Sequence, residues 1–295
     1  MLSKKYDLNK LYNSVKRPLI LDGALGSLLQ QKGFMRDTNL WFSKYNLENP
    51  QVVHSLHNEY VSAGADIITT NTFRTNPASL KASGYEIDIS SFVKKSIQLA
   101  INARAEKYLI IAGSNAPAED CYQKERNISF SELDYNHKKH IELLWENGAD
   151  IIWNETQSHW DEINIICNYC NDSSIRYAIN FYFDDNLLLL SGEPLHEAVS
   201  FVRQFNPQVV GFNCIKPSTF LKYLEKFPLP QNWGFYFNCG SGNVTDEILS
   251  CGISPADYLI PVKQALEYLP MFVGSCCGSS PLHTKVIKEY FDEIY

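Results

Sequence analysis

Short apolar runs alternate along the chain with longer stretches of helical spacing. The runs fall at 18–21, 66–70, 108–112, 150–153, 177–181, 208–212, 233–237 and 269–273. They are continuous rather than interleaved with polar residues, the pattern of strands covered on both faces. Around them the spacing predicts helices over 24–31, within 46–64 from Asn49-Pro50 onward, and over 90–107, 130–148, 159–171, 195–205, 219–226, 255–269 and 281–295. The punctuation agrees: Asn49-Pro50 opens one helix, and Gly64 and Gly148 close two. A polar stretch at 2–16 predicts one more short helix, a lid over one end of a barrel. Strict alternation of eight strands with helices predicts an α/β fold, a (β/α)8 TIM barrel, as one domain over 1–295. An open doubly wound sheet shares that alternation and stays an alternative. No linker, repeat or low-complexity tract marks a second domain.

Composition narrows the class. The chain is 45% hydrophobic and 20% charged, ordinary for a soluble globular protein. A formal net charge of −7, without a long Lys or Arg run, argues against a nucleic-acid or anionic-membrane partner. No apolar run nears the roughly 18 residues that span a bilayer, and the N-terminal stretch lacks a signal-type apolar core. The expected location is the cytoplasm. The eight cysteines are then expected to be thiols, metal ligands or core residues rather than disulfides.

Polar residues recur just after the strands: Asp22, Asn71, Ser114, Glu155, Asn213, Cys214, Asn238, Cys276 and Cys277. In a barrel those ends share one face, where active sites sit. Loops are polar in any fold, so each residue alone carries little. Cysteine is not a usual loop residue, however. Cys276 and Cys277 sit between Gly274-Ser275 and Gly278, where a tight turn lets both sulfurs face one point. Cys214, at the end of the sixth strand, is within reach of that point over the seventh. Three sulfurs with one open position suit a catalytic zinc; three ordinary buried thiols are the alternative. Cys239 is a spare candidate with a wall position favoured. Cys121 and Cys251 stand alone, and Cys167 and Cys170 share a helix face. The pairs His54/His57 and His137/His140 have helical spacing and no matching acidic or sulfur ligand, so they are assigned to helix packing or surface.

These motifs resemble the homocysteine S-methyltransferase family over nearly the whole chain. Asp22-Gly23-Ala24-Leu25-Gly26 is similar to the family's DGAxG, and Thr70-Asn71-Thr72-Phe73 to its TNTF. Glu155-Thr156 resembles its ET, Gly211-Phe212-Asn213-Cys214 its GxNC, and Gly274 to His283 its GGCCGTTPxH. The resemblance implies that Cys214, Cys276 and Cys277 bind Zn2+ with the substrate thiol as fourth ligand. It implies that Asp22 and Glu155 hold the amino group of homocysteine, and that amides near Gly23 and Ala24 hold its carboxylate. Asn213 would support the metal loop, while Asn71 and Asn238 would line the pocket. Trp41, Phe42 and Phe73 are candidates for an aromatic wall around a cationic donor. The block Gly113-Ser114-Asn115-Ala116-Pro117 departs from GSxGP, and Phe237-Asn238-Cys239-Gly240 from YPNxG, so the donor side is expected to differ in shape.

The implied reaction is methyl transfer from a sulfonium, S-methylmethionine or S-adenosylmethionine, to the thiol of L-homocysteine, forming methionine. Betaine or a seleno-substrate are variants of the same chemistry. A non-catalytic zinc barrel or a thiol-redox protein using Cys276-Cys277 are readings from other classes. The expected partners are small-molecule substrates, homocysteine and a methyl donor, with neither nucleic acid nor membrane among them.

Overall fold

A computed structural model describes residues 5–242 and 248–295. The chain runs α1 (Leu8–Val15), β1 (Leu19–Ile20), α2 (Leu25–Gln31), α3 (Tyr45–Glu48), α4 (Pro50–Ala63) and β2 (Ile67–Thr69). Then come α5 (Pro77–Ser83), α6 (Ile89–Arg104), β3 (Ile110–Asn115), α7 (Phe130–Glu146), β4 (Ile151–Gln157), α8 (Trp160–Asp172) and β5 (Tyr177–Phe181). The last third holds α9 (Leu195–Val202), β6 (Val209–Asn213), α10 (Pro217–Leu224), β7 (Trp233–Phe237), α11 (Pro255–Leu266), β8 (Phe272–Ser275) and α12 (Pro281–Ile294).

The strands form one parallel sheet in the order β1-β8-β7-β6-β5-β4-β3-β2. A parallel bridge from Leu21 to Ile67 joins its two ends, with Asp22 N donating to Ile67 O at 2.9 Å. The barrel is therefore closed, and the open-sheet alternative falls. Large side chains fill it as a packed core: Trp153 of β4 meets Phe272 of β8 edge-on at 5.0 Å between centroids.

The described part of the polar N-terminal helix is α1. Its Leu8 and Leu11 are buried in one cluster with Leu19, Ile67, Ile110, Ile151, Val209 and Met271. These residues begin the strands, so α1 plugs the end of the barrel opposite the strand termini. Residues 1–4, the start of the helix expected over 2–16, lie outside the described residues.

Candidate metal centre and substrate cavity

The strand ends open into a cavity of about 1260 Å3, larger than the ~300–1000 Å3 of most ligand sites. Cys214, Cys276 and Cys277 lie together on its wall, their sulfurs within 4.8 Å of one another. Backbone pairing past the strands puts them there. Cys214 N donates to Tyr236 O at 3.1 Å, Cys276 N to Phe237 O at 2.8 Å, and Cys239 N to Cys277 O at 2.8 Å. The end of β7 thus stitches the ends of β6 and β8 to one point. Gly278 makes the turn possible: its φ is +82°, and a Cβ there would sit 2.6 Å from Gly240 Cα.

The Cys277 sulfur is 3.8 Å from that of Cys214 and 4.0 Å from that of Cys276. Cys214 and Cys276 are joined as a disulfide, with Cα atoms 5.6 Å apart. This corrects the expectation that no cysteine pairs. The cause is topological: two strand ends bring sulfurs 62 residues apart in sequence to one point, within bonding reach. Burial first, and then the nearby Glu155 charge, push the Cys277 thiol up to about 11.

Two carboxyls enter the same cavity from β1 and β4. Asp22 accepts from Thr69 N at 2.9 Å and from Thr69 Oγ1 at 3.0 Å. Glu155 accepts from Ser114 Oγ and, at 3.4 Å, from Tyr236 Oη, which itself accepts from Trp153 Nε1 at 3.2 Å. Burial raises the pKa of Asp22 well above the usual carboxylate range, with Glu155 adding to it. Burial lifts Glu155 to about 7. No cationic side chain is among the causes of either shift, so the pair offers buried acceptors to a cation from outside.

Asn213 is fully buried and does not face the cavity. Its Oδ1 accepts from Thr156 N and its Nδ2 donates to Thr156 Oγ1, both at 2.9 Å. Thr156 and Cys214 both have left-handed φ, 58° and 55°. One amide therefore braces the two strained residues that flank Glu155 and follow Asn213. Asn71 lines the cavity, but its amide donates to Phe42 O at 3.2 Å and to Asn46 Oδ1 at 2.9 Å. Asn238 stands off the cavity lining, and its Oδ1 accepts from Gly240 N at 2.7 Å. Gly23 and Ala24 border the cavity, and Ala24 N donates to Ser279 Oγ at 3.1 Å. Trp41 and Phe73 face it with ring centroids 5.2 Å apart, whereas Phe42 is buried behind Trp41.

Other side chains reach the site without a sequence signal for their roles. Thr69 and Tyr236, together with Ser114 from the strand-end candidates, hold the two carboxyls. Cys121 and Tyr122 line the cavity from the loop after β3. Cys239 is buried with its sulfur on Phe237 O at 3.6 Å, outside the cysteine cluster. The histidines pack helices: His57, His137 and His140 are buried, and His140 bonds Asn115 Oδ1 at 2.8 Å.

A family model described as Homocysteine S-methyltransferase matches residues 19–291. The chain belongs to the homocysteine S-methyltransferase family. It is a methyltransferase of that family, whose activity is methyl transfer to homocysteine. The Homocysteine S-methyltransferase of Escherichia coli (strain K12) is 29% identical, over 92% of this chain and 94% of that one. The Selenocysteine Se-methyltransferase of Brassica oleracea var. italica is 22% identical, over 96% of this chain and 91% of that one. Among solved structures, the homocysteine methyltransferase MmuM of Escherichia coli superposes in its metallated form with a TM-score of 0.79 at 25% identity, over 96% of this chain and 100% of that one. An oxidized form of the same protein superposes equally well, with a TM-score of 0.79. Family membership covers the strand ends, the cysteine turn and both carboxyls, all within residues 19–291.

Proposed function

We propose that the chain is a zinc-dependent methyltransferase that moves a methyl group from a sulfonium, S-methylmethionine or S-adenosylmethionine, to the thiol of L-homocysteine, yielding methionine. The observation that carries this reading is the facing of three cysteine sulfurs and two cation-seeking carboxyls across one cavity.

The donor set fits zinc. Zn–S bonds of ~2.3 Å in a tetrahedral set place sulfurs roughly 3.8 Å apart. The two edges to Cys277 are 3.8 and 4.0 Å. Reduction of the Cys214–Cys276 disulfide by two electrons frees the other two ligands beside Cys277. When bound by Cys214, Cys276 and Cys277, zinc supplies a deprotonated substrate thiol at neutral pH.

The chain's own groups orient the reactants. Asp22 and Glu155 take the substrate ammonium, which supplies the cation their burial lacks. Backbone at Gly23 and Ala24 takes the carboxylate, with Ser279 Oγ beside it. The thiol then points at the cysteine cluster, and the donor methyl approaches from the open side of the cavity. Trp41 and Phe73 offer ring faces to the positive sulfonium. Holding thiolate and methyl in line replaces a bimolecular encounter by an oriented one. Displacement moves the methyl to sulfur and leaves the donor as a neutral thioether.

The test is methionine formation by reduced, zinc-supplemented protein given homocysteine and either sulfonium. Turnover with at least one donor, lost in Cys277→Ala, is expected. No turnover with either donor would remove this reading. Selenocysteine as acceptor, suggested by the Brassica relative, belongs in the same assay.

A further inference from the structure

Among the described residues, three cationic side chains line the cavity: Arg36, Arg74 and Lys81. Arg36 is exposed, and Lys81 is exposed and pairs with Glu132 at 3.1 Å. Arg74 is half-buried and has no carboxylate partner among the described residues. The two acids on the loop it touches are turned elsewhere. Glu119 Oε2 accepts from Asn127 N at 2.9 Å and from Ile128 N at 3.3 Å, and Asp120 Oδ1 accepts from Tyr122 N at 2.9 Å. A positive charge partly withdrawn from water, with no counter-ion, attracts an anion entering the cavity.

Neutral groups hold the same guanidinium in place. Arg74 Nη1 donates to Pro117 O at 3.1 Å and also to Glu119 O, both in the loop after β3. Its backbone N donates to Ser43 Oγ at 3.3 Å. The guanidinium carbon lies 5.3 Å from the centroid of Phe73, the ring that meets Trp41. Nη1 is therefore spent on carbonyls, while Nε and Nη2 have no partner among the described residues. Those two nitrogens form one edge of the planar fork, the edge that takes a carboxylate through two parallel hydrogen bonds.

We propose that Arg74 selects the methyl donor: its free edge binds the α-carboxylate of a sulfonium amino acid. This inference rests on the proposed methyl transfer and deepens it. The carboxylate of homocysteine is assigned to the backbone at Gly23 and Ala24, which leaves the second amino acid without an anion site. S-methylmethionine and S-adenosylmethionine both carry an α-carboxylate on their methionine end. A guanidinium beside Phe73 would by itself repel a sulfonium. A carboxylate on the same molecule cancels that repulsion and turns it into selection. A sulfonium without the carboxylate meets the uncompensated cation and is rejected.

The experiment measures KM in reduced, zinc-supplemented wild type, Arg74→Lys and Arg74→Gln for matched donor pairs. The pairs are S-methylmethionine with its α-carboxamide, and S-adenosylmethionine with its decarboxylated form. In wild type the donor that bears the carboxylate is expected to have a KM about 10- to 100-fold lower than its partner. In Arg74→Gln that ratio should vanish, while KM for homocysteine stays as in wild type. Arg74→Lys, which keeps the charge but not the fork, should fall between. Loss of the bonds to Pro117 and Glu119 alone would raise KM for both members of a pair equally. A wild-type ratio retained in Arg74→Gln therefore overturns the proposal, even if that variant melts lower. Should Arg74→Gln fail to fold, a wild-type ratio in Arg74→Lys overturns it instead. So does a rise in KM for homocysteine alone, which would assign the arginine to the acceptor. Wild type that turns over neither sulfonium fails the methyl-transfer reading itself and takes this inference with it.

Discussion

Glu155 is held in a protonation state that a free carboxyl would not keep. Its folded pKa of about 7 lies above the ordinary 4.5, mainly through burial. The proton-bound form therefore stabilises the fold fully below the unfolded pKa, and that contribution is lost as pH rises through 7. At pH 8 the empty site carries a buried charge that Glu155→Gln does not. The variant should melt a few degrees higher than wild type at pH 8, with no gain at pH 4, and should bind homocysteine at least tenfold more weakly. A melting temperature lowered at pH 8 would contradict this. In the enzyme itself, KM for homocysteine should rise as pH falls below 7, since the ammonium needs the carboxylate. Asn213 acts on two strands at once. Asn213→Ala removes both bonds to Thr156 and relaxes the left-handed backbone at Cys214. Loss of about 1–3 kcal/mol in stability and of 10- to 100-fold in metal affinity is expected by denaturant melts and chelator competition.

Among the elements, the turn from β8 into α12 is the most constrained. Gly278→Ala drives a Cβ into the Gly240 backbone at a φ of +82°, and neither side can yield. This variant is expected to lose metal while keeping the barrel's circular dichroism; full metal occupancy would refute the account of the turn. That turn was legible in the sequence because glycines and paired cysteines together are rare. All eight strands were legible as well, since parallel strands buried on both faces are continuous apolar runs. Their edges were not. The third strand begins at Ile110 rather than at Tyr108, because pairing with β2 starts at Ile110 and Tyr108 remains exposed. The short helices α3 and α5 went unread, at 4 and 7 residues too brief for a period to show. The loop with Cys121 and Tyr122 was unreadable for another reason. Its place on the cavity wall is set by Glu162, Arg74 and His159, which come from distant stretches of chain.

At the scale of the whole molecule, one end of the barrel is sealed and the other is open for chemistry. Leu8 and Leu11 of α1 close the sealed end. Leu11→Ala should cost about 2–5 kcal/mol in unfolding free energy and leave KM for homocysteine unchanged, because the plug and the cavity lie at opposite ends. Among the described residues, no helix is long and apolar enough to cross a membrane. The open end gathers cysteines from the ends of β6 and β8 and carboxyls from the ends of β1 and β4, which only closure of the barrel brings together. That convergence makes a single metal the centre of the account. The most direct test is elemental analysis of freshly reduced protein beside Cys214→Ala. About one zinc per chain in wild type, lost in the variant, is the predicted result. No zinc in wild type, even after reduction and incubation with zinc salts, would contradict it.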